Sequence, residues 1–212
     1  HEASKATDEN LADIERLSSH EKVVAIGEIG LDFHYDFAPR DKQQHVYKSQ
    51  LEIACRSDLP VVIHTRESLA ESIQAVREVV EQHPKWQLAE DGGEGSRGVF
   101  HCFSGNADEA KQVFALGFYV SYGGMVTFKN SMALETLRAL GLSRVLLETD
   151  SPYLAPVPLR GKKNEPANII HTAKKIAESL NISLDHVAEI TSKNARMLFA
   201  LKLPFTQMAA RQ

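Results

Sequence analysis

Five short apolar runs, each followed by a helical pattern, constrain this chain more than any other feature. They occupy residues 23–28, 60–64, 98–101, 118–121 and 145–148. Runs this short and this continuously apolar predict strands covered on both faces, as in a parallel sheet. Between them, Tyr47, Leu51 and Ala54 recur at helical spacing, as do Leu69, Ile73, Val76 and Val80. Thr7 stands ahead of a helix carrying Leu11, Ile14 and Leu17. Asn106 is placed to cap one carrying Ala110, Val113 and Phe114, with Gly117 to end it. Leu134, Leu137 and Leu140 form another, closed by Gly141, and Pro166 opens one carrying Ile169, Ala173, Ile176 and Leu180. Two short helices, about 184–190 and 195–199, are expected to finish the fold.

Strand and helix in alternation imply a parallel sheet with right-handed crossovers. An open doubly wound sheet and a (β/α)8 barrel both meet that description. A closed barrel takes eight strands and about 250 residues, and this chain has 212 residues and no starting Met. The expectation is a single α/β domain over 1–212, either an open sheet or a TIM-type barrel lacking its first strands. The segment behind Thr7 then reads as the helix that follows a missing strand. Exposed sheet edges in such a chain are a route to self-association.

Side chains at the strand ends carry the chemistry. Glu28, His64 and His101 each close one of the first three runs, and Asp150 lies two residues past the fifth. All C-terminal ends of a parallel sheet share one rim, where sites are built. The intervals of 36 residues (28 to 64) and 37 residues (64 to 101) fit one strand–helix unit per group. Singly, each has an ordinary structural role: a hydrogen-bonded histidine, Glu28 paired with Arg40, Asp150 in a turn with Ser151 and Pro152. Together, two imidazoles and two carboxylates suit Zn²⁺ or Mn²⁺ and do not exclude Mg²⁺. His34 is within reach of the rim, and Cys102 is expected on the far side of its strand as a buried apolar residue. Arg66 and the run 160–164 lie on rim loops suited to phosphate oxygens. Tyr153 is placed either to stack on a base or to close the core. The acidic, glycine-rich stretch 89–95 lacks the Gly-Lys-Ser/Thr ending of a phosphate-binding loop, and the tail from residue 203 is expected to be loosely held.

Composition narrows the partners. A net charge of −4 gives no global basic footprint for nucleic acid, although a bound cation supplies positive charge locally. Cys55 and Cys102 make no CxxC pair, which fits a reducing, cytoplasmic setting. No run approaches the ~20 apolar residues that span a bilayer, no signal peptide is read, and no obligate protein partner is evident.

Four ordered segments resemble the signatures of the TatD family of metal-dependent deoxyribonucleases, in the amidohydrolase superfamily. They are Gly27-Glu28-Ile29-Gly30-Leu31-Asp32, Val62-Ile63-His64-Thr65-Arg66-Glu67-Ser68, His101-Cys102-Phe103-Ser104-Gly105 and Glu148-Thr149-Asp150-Ser151-Pro152-Tyr153 with Leu154-Ala155-Pro156. Arg160-Gly161-Lys162 and Asn164-Glu165-Pro166 resemble that family's downstream loop. The resemblance runs from residue 1 to about residue 201. It implies a TIM-type barrel and a cytoplasmic, usually exonucleolytic DNase working through divalent ions, two in a complete site (Mg²⁺, Mn²⁺ or Zn²⁺). It further implies that Glu28 is shared between the two ions and that His64 and His101 complete one position. Asp150 would serve the other and handle the proton of the attacking water, while Arg66 and Arg160 contact phosphate. The sequence departs from the family in having no His-x-His pair, and His1-Glu2-Ala3 resembles the family segment just after the third strand. The expectation is an N-terminally truncated member, with one ion position intact and the other keeping only Glu28 and Asp150. Two rivals remain: a hydrolase on the same scaffold acting on a small amide, lactone or phosphate ester, and an inactive fragment.

Overall fold

The computed structural model describes residues 1–35, 37–86 and 96–201. The acidic stretch 89–95 and the tail from residue 203 lie outside the described residues. Five parallel strands form one sheet in the order β1-β2-β3-β4-β5: β1 Ile26–Asp32, β2 Val61–Arg66, β3 Gly98–Phe100, β4 Phe118–Tyr122 and β5 Val145–Leu147. Every neighbouring pair is parallel, as the continuous apolar runs predict. Among the described residues, β1 and β5 pair on one side only.

The first strand begins later than the apolar run suggests. Val23 and Val24 precede it, and it continues through Leu31 to Asp32. Ile26 is aligned with Val61 and Ile29 with Ile63, so one extra residue of β1 is absorbed between them. Such an irregularity re-aims a side chain, and here the residue carried outward within it is Glu28.

Among the described residues seven α-helices precede, connect and follow the strands: α1 Asp8–Ser18, α2 Arg40–Ser57, α3 Leu69–Gln82, α4 Ala107–Ala115, α5 Ala133–Leu140, α6 Ile169–Leu180 and α7 Leu184–Leu198. The capping expectations hold. The Thr7 hydroxyl accepts the Asn10 amide, and the Asn106 side chain accepts the amides of Asp108 and Glu109. Gly117 and Gly141 take positive φ just past their helices. The last two expected helices are one. Thr191 and Asn194 interrupt the apolar pattern, but both are satisfied in place: the Thr191 hydroxyl donates to the Val187 carbonyl, and the Asn194 amide donates to the carbonyls of Leu142 and Val145, each at 2.8 Å. A buried amide holding the carbonyls of Val145, the first residue of β5, and of Leu142 just ahead of it favours a continuous helix over a break.

Alternating residues send the sheet's two faces into two apolar layers. Leu31, Ile63, Phe100, Phe118 and Val145 meet Leu51, Val76, Leu137 and Ile176 of the helices. Val99, Tyr119 and Leu146 pack on the other side with Leu198, Ala195 and Phe199. Both faces are therefore covered around β3 to β5, and this leaves the strand C-termini as the polar rim. No helix among the described residues is long and apolar enough to cross a membrane.

Candidate metal centre

Glu28, His64 and His101 meet at that rim. One oxygen of Glu28, Oε1, lies 3.0 Å from His64 Nδ1 and 2.9 Å from His101 Nε2. The two imidazole centroids are 5.6 Å apart. Each ring turns its remaining nitrogen to a second carboxylate: His64 Nε2 is 3.0 Å from Asp32 Oδ2, and His101 Nδ1 is 3.7 Å from Glu148 Oε2. An imidazole with one nitrogen facing a donor cluster and the other held by a carboxylate is the arrangement that fixes tautomer and ring angle in metal sites.

The supporting carboxylates are themselves anchored. Asp32 is 1% exposed. Its Oδ1 accepts the amides of His34 and Tyr35, and its backbone N–H and C=O are both bonded to the buried Gln43 amide. Glu148 Oε1 accepts the Cys102 amide at 2.6 Å, and Oε2 accepts the Ser121 hydroxyl at 2.5 Å. Gly30 sits beside His64 in the register of β1 and β2 with φ 142°. A methyl group there would lie 2.0 Å from the His64 carbonyl oxygen, so only glycine lets the strands approach this closely.

Asp150 lies beyond β5 with φ 55°. Its carboxylate, a His101 ring nitrogen and Cys102 Sγ lie within 4.8 Å of one another, as do the donor atoms of Glu28, His64 and His101. His101 thus belongs to both groups, and all four expected residues share one locality. Asp150 is held there by Asn164, 3% exposed, whose amide donates to the carbonyls of Thr149 and Tyr153 at 2.7 Å each.

Charge is concentrated at this point. Hydrogen bonds from His101 and then His64 outweigh burial and hold the Glu28 carboxyl well below the ordinary range. Burial disfavours the His101 cation, but its contacts with Cys102, Glu148 and Glu28 prevail and push it up to about 12 in the metal-free protein. Burial lifts the Asp150 carboxyl above its ordinary value; the His101 charge opposes this and the Glu148 and Glu28 charges add to it.

The expectation for Cys102 needs correction, and several open alternatives are decided. Glu28 does not pair with Arg40, whose guanidinium rests 4.3 Å above the Phe33 ring. Cys102 is half-buried rather than a core residue. Its φ of 47° turns the chain at the end of β3 and brings its sulfur toward His101 and Asp150. His34 bonds to Glu67 at 2.7 Å. Arg66 and Arg160 are both exposed at the rim, each set over an aromatic ring: Arg66 4.7 Å from Tyr35 and Arg160 4.3 Å from Phe128. Tyr153 is 68% exposed and closes no core. Asp32 and Glu148 were not singled out from the sequence as parts of the site, and Asn164 was read only within the run 160–164 as a phosphate-facing loop. The usable signal was their place inside the motifs that carry Glu28, Asp150 and Arg160.

The sequence matches the family described as TatD related DNase over residues 1–200. It is 40% identical over 201 residues to the uncharacterized metal-dependent hydrolase YabD of Bacillus subtilis, covering 94% of this chain and 74% of that protein. It is 32% identical over 207 residues to the 3'-5' ssDNA/RNA exonuclease TatD of Edwardsiella piscicida, covering 95% and 75%. Among solved structures, YJJV, a TatD homolog from Escherichia coli, superposes with a TM-score of 0.82 at 28% identity over 93% of this chain and 73% of that one. A TatD family hydrolase from Entamoeba histolytica gives 0.72 at 26% identity over 91% and 67%. These likenesses run through every strand end described above, and the chain belongs to the TatD related DNase family of metal-dependent hydrolases.

Proposed function

We propose that this chain, as one hydrolase domain, cleaves phosphodiester bonds of single-stranded nucleic acid, DNA above all, from an end. The observation that carries this reading is Glu28 Oε1 between two imidazoles, each backed by its own carboxylate. That donor set fits a divalent cation: one anionic oxygen and two imidazole nitrogens converge, and the pair Asp32 and Glu148 holds both rings in place. Glu28, His64 and His101 would hold one ion, and Asp150 would serve a second with Glu28. When bound, such ions supply Lewis acidity that makes water a competent nucleophile near neutral pH.

The chain's own groups do the rest. Asp150, its carboxyl made more basic by burial, accepts a proton from the attacking water at a carboxylate oxygen. Arg66 and Arg160 on the rim offset charge growing on phosphate oxygens. The likeness to an exonuclease of single-stranded DNA and RNA favours a strand end over a duplex as substrate, and DNA is the expected preference from the family description.

The test compares a single-stranded oligonucleotide, a duplex and a panel of small esters, amides and lactones, with Mg²⁺, Mn²⁺ or Zn²⁺ added. End-wise release of nucleotides by the wild type, abolished in Asp150→Ala with its thermal unfolding retained, is the expected result. Hydrolysis confined to small esters or amides, or near-normal DNA cleavage by Asp150→Ala, overturns it.

A further inference from the structure

A cavity of about 370 Å³ opens at the rim on the side of β3, β4 and β5. It starts at Cys102, next to His101, and at Gly123, whose backbone passes close to Glu148. It is thus continuous with the metal centre. Phe103, Met125, Phe128 and Met132 give it apolar walls, and Arg160 closes one side. Its size is at the small end of the roughly 300–1,000 Å³ of small-molecule sites. That is room for one nucleoside and too little for a base pair.

Its charge is unlike that of the chain. The protein carries 28 acidic and 24 basic residues, yet the lining contains Lys129 and Arg160 and no Asp or Glu. The Arg160 guanidinium lies 4.3 Å over the Phe128 ring. Met132 stands 51% exposed within the same wall. Apolar faces beside unopposed cations match a ligand with a flat apolar body and an anionic edge. A phosphate alone has no use for the former.

We propose that this cavity takes the terminal, unpaired nucleoside of the strand, stacked against Phe128 and Met132 with its phosphate toward Arg160. The proposal rests on the nuclease reading and deepens it by naming what selects a free end. A paired base is refused for want of space, and a base accepted here delivers its phosphate link to the adjoining centre. Stacking on an aromatic wall tolerates every base, because each has a π face.

The test is calorimetric binding of thymidine 5′-monophosphate and, separately, of inorganic phosphate, to the wild type, Phe128→Ala and Met132→Trp in the presence of Mg²⁺. Phe128 is half-buried and Met132 exposed. Circular dichroism and melting check the fold of each variant, and the tryptophan obstructs the cavity without emptying it. Expected is tighter binding of the nucleotide than of phosphate, weakened about tenfold by both substitutions, within the range for base–aromatic stacking, with phosphate affinity unaltered. Nucleotide binding no tighter than phosphate, or unchanged in both folded variants, overturns the proposal. Oligonucleotide cleavage by the same wild-type preparation separates the two readings. Cleavage with cavity-independent nucleotide binding removes the cavity assignment alone, whereas cavity-dependent binding without cleavage removes the nuclease reading alone.

Discussion

Gly30→Ala should damage stability and metal affinity together. The added Cβ would lie 2.0 Å from the His64 carbonyl oxygen and 2.9 Å from its carbon, where contacts under 3.0 Å are essentially never seen. The strands must therefore part by at least the 1.0 Å between 2.0 and 3.0 Å, at the Gly30–His64 pair itself, which carries the imidazole that touches Glu28. Overpacking of that kind costs about 1–3 kcal/mol. Holding alanine at the φ of 142° seen here adds about 1–3 kcal/mol. The sum, about 2–6 kcal/mol, is a large share of the ~5–15 kcal/mol that keeps a domain folded. At about 2–4 °C per kcal/mol for a domain of this size, the melting temperature should fall by roughly 4–24 °C. A displaced His64 should also weaken Mn²⁺ binding by about 10–100-fold. Gly141→Ala is the control: its φ is also positive, 70°, but nothing lies within 4 Å of the added methyl, so it should show the backbone strain alone. Differential scanning calorimetry and Mn²⁺ titration read both effects. A Gly30→Ala protein that melts no lower than Gly141→Ala and binds Mn²⁺ as the wild type does would refute the close-approach reasoning.

Two further outcomes follow from the geometry. Asn164→Ala removes an amide that donates to Thr149 and Tyr153 and an oxygen that accepts from Glu165 and Asn168; with stranded buried groups costing ~1–3 kcal/mol each, it should lose about 2–5 kcal/mol and lower kcat more than KM through Asp150, and unchanged melting and rate would count against it. For pH, the His101 pKa is raised from 6.5 to about 12 in the metal-free protein, so the stability it contributes is complete below about pH 6.5 and lost as pH rises toward about 12. An ion must displace that proton, so apparent Mn²⁺ affinity should climb with pH by up to about tenfold per unit, with proton release seen by calorimetry in two buffers of different ionisation enthalpy; a flat profile without release would contradict the assignment.

The strand–helix alternation was legible because apolar runs and caps are local properties. Thr7, Asn106, Gly117 and Gly141 all act on their own helix ends. The convergence of Glu28, His64, His101 and Asp150 was legible for a topological reason, since a parallel sheet brings strand ends to one rim. What could not be read was anything decided by packing between distant segments. The bulge that re-aims Glu28 depends on the alignment of β1 with β2. The continuity of α7 depends on Asn194 finding carbonyls about fifty residues back, at Leu142 and Val145. Cys102 was misplaced because strand alternation was extended two residues past the end of β3, where a positive φ reverses it. Asp32 and Glu148 look like any strand-end acids until the imidazoles behind which they stand are located.

Asp32 divides its two oxygens between different tasks. Oδ1 gathers the amides of His34 and Tyr35, which begin the loop after β1, while Oδ2 steadies His64. The carboxylate is planar and buried, so it turns as one body. The loop after β1 and the His64 ring are therefore tied to one rigid plane, so a displacement of either is felt by the other.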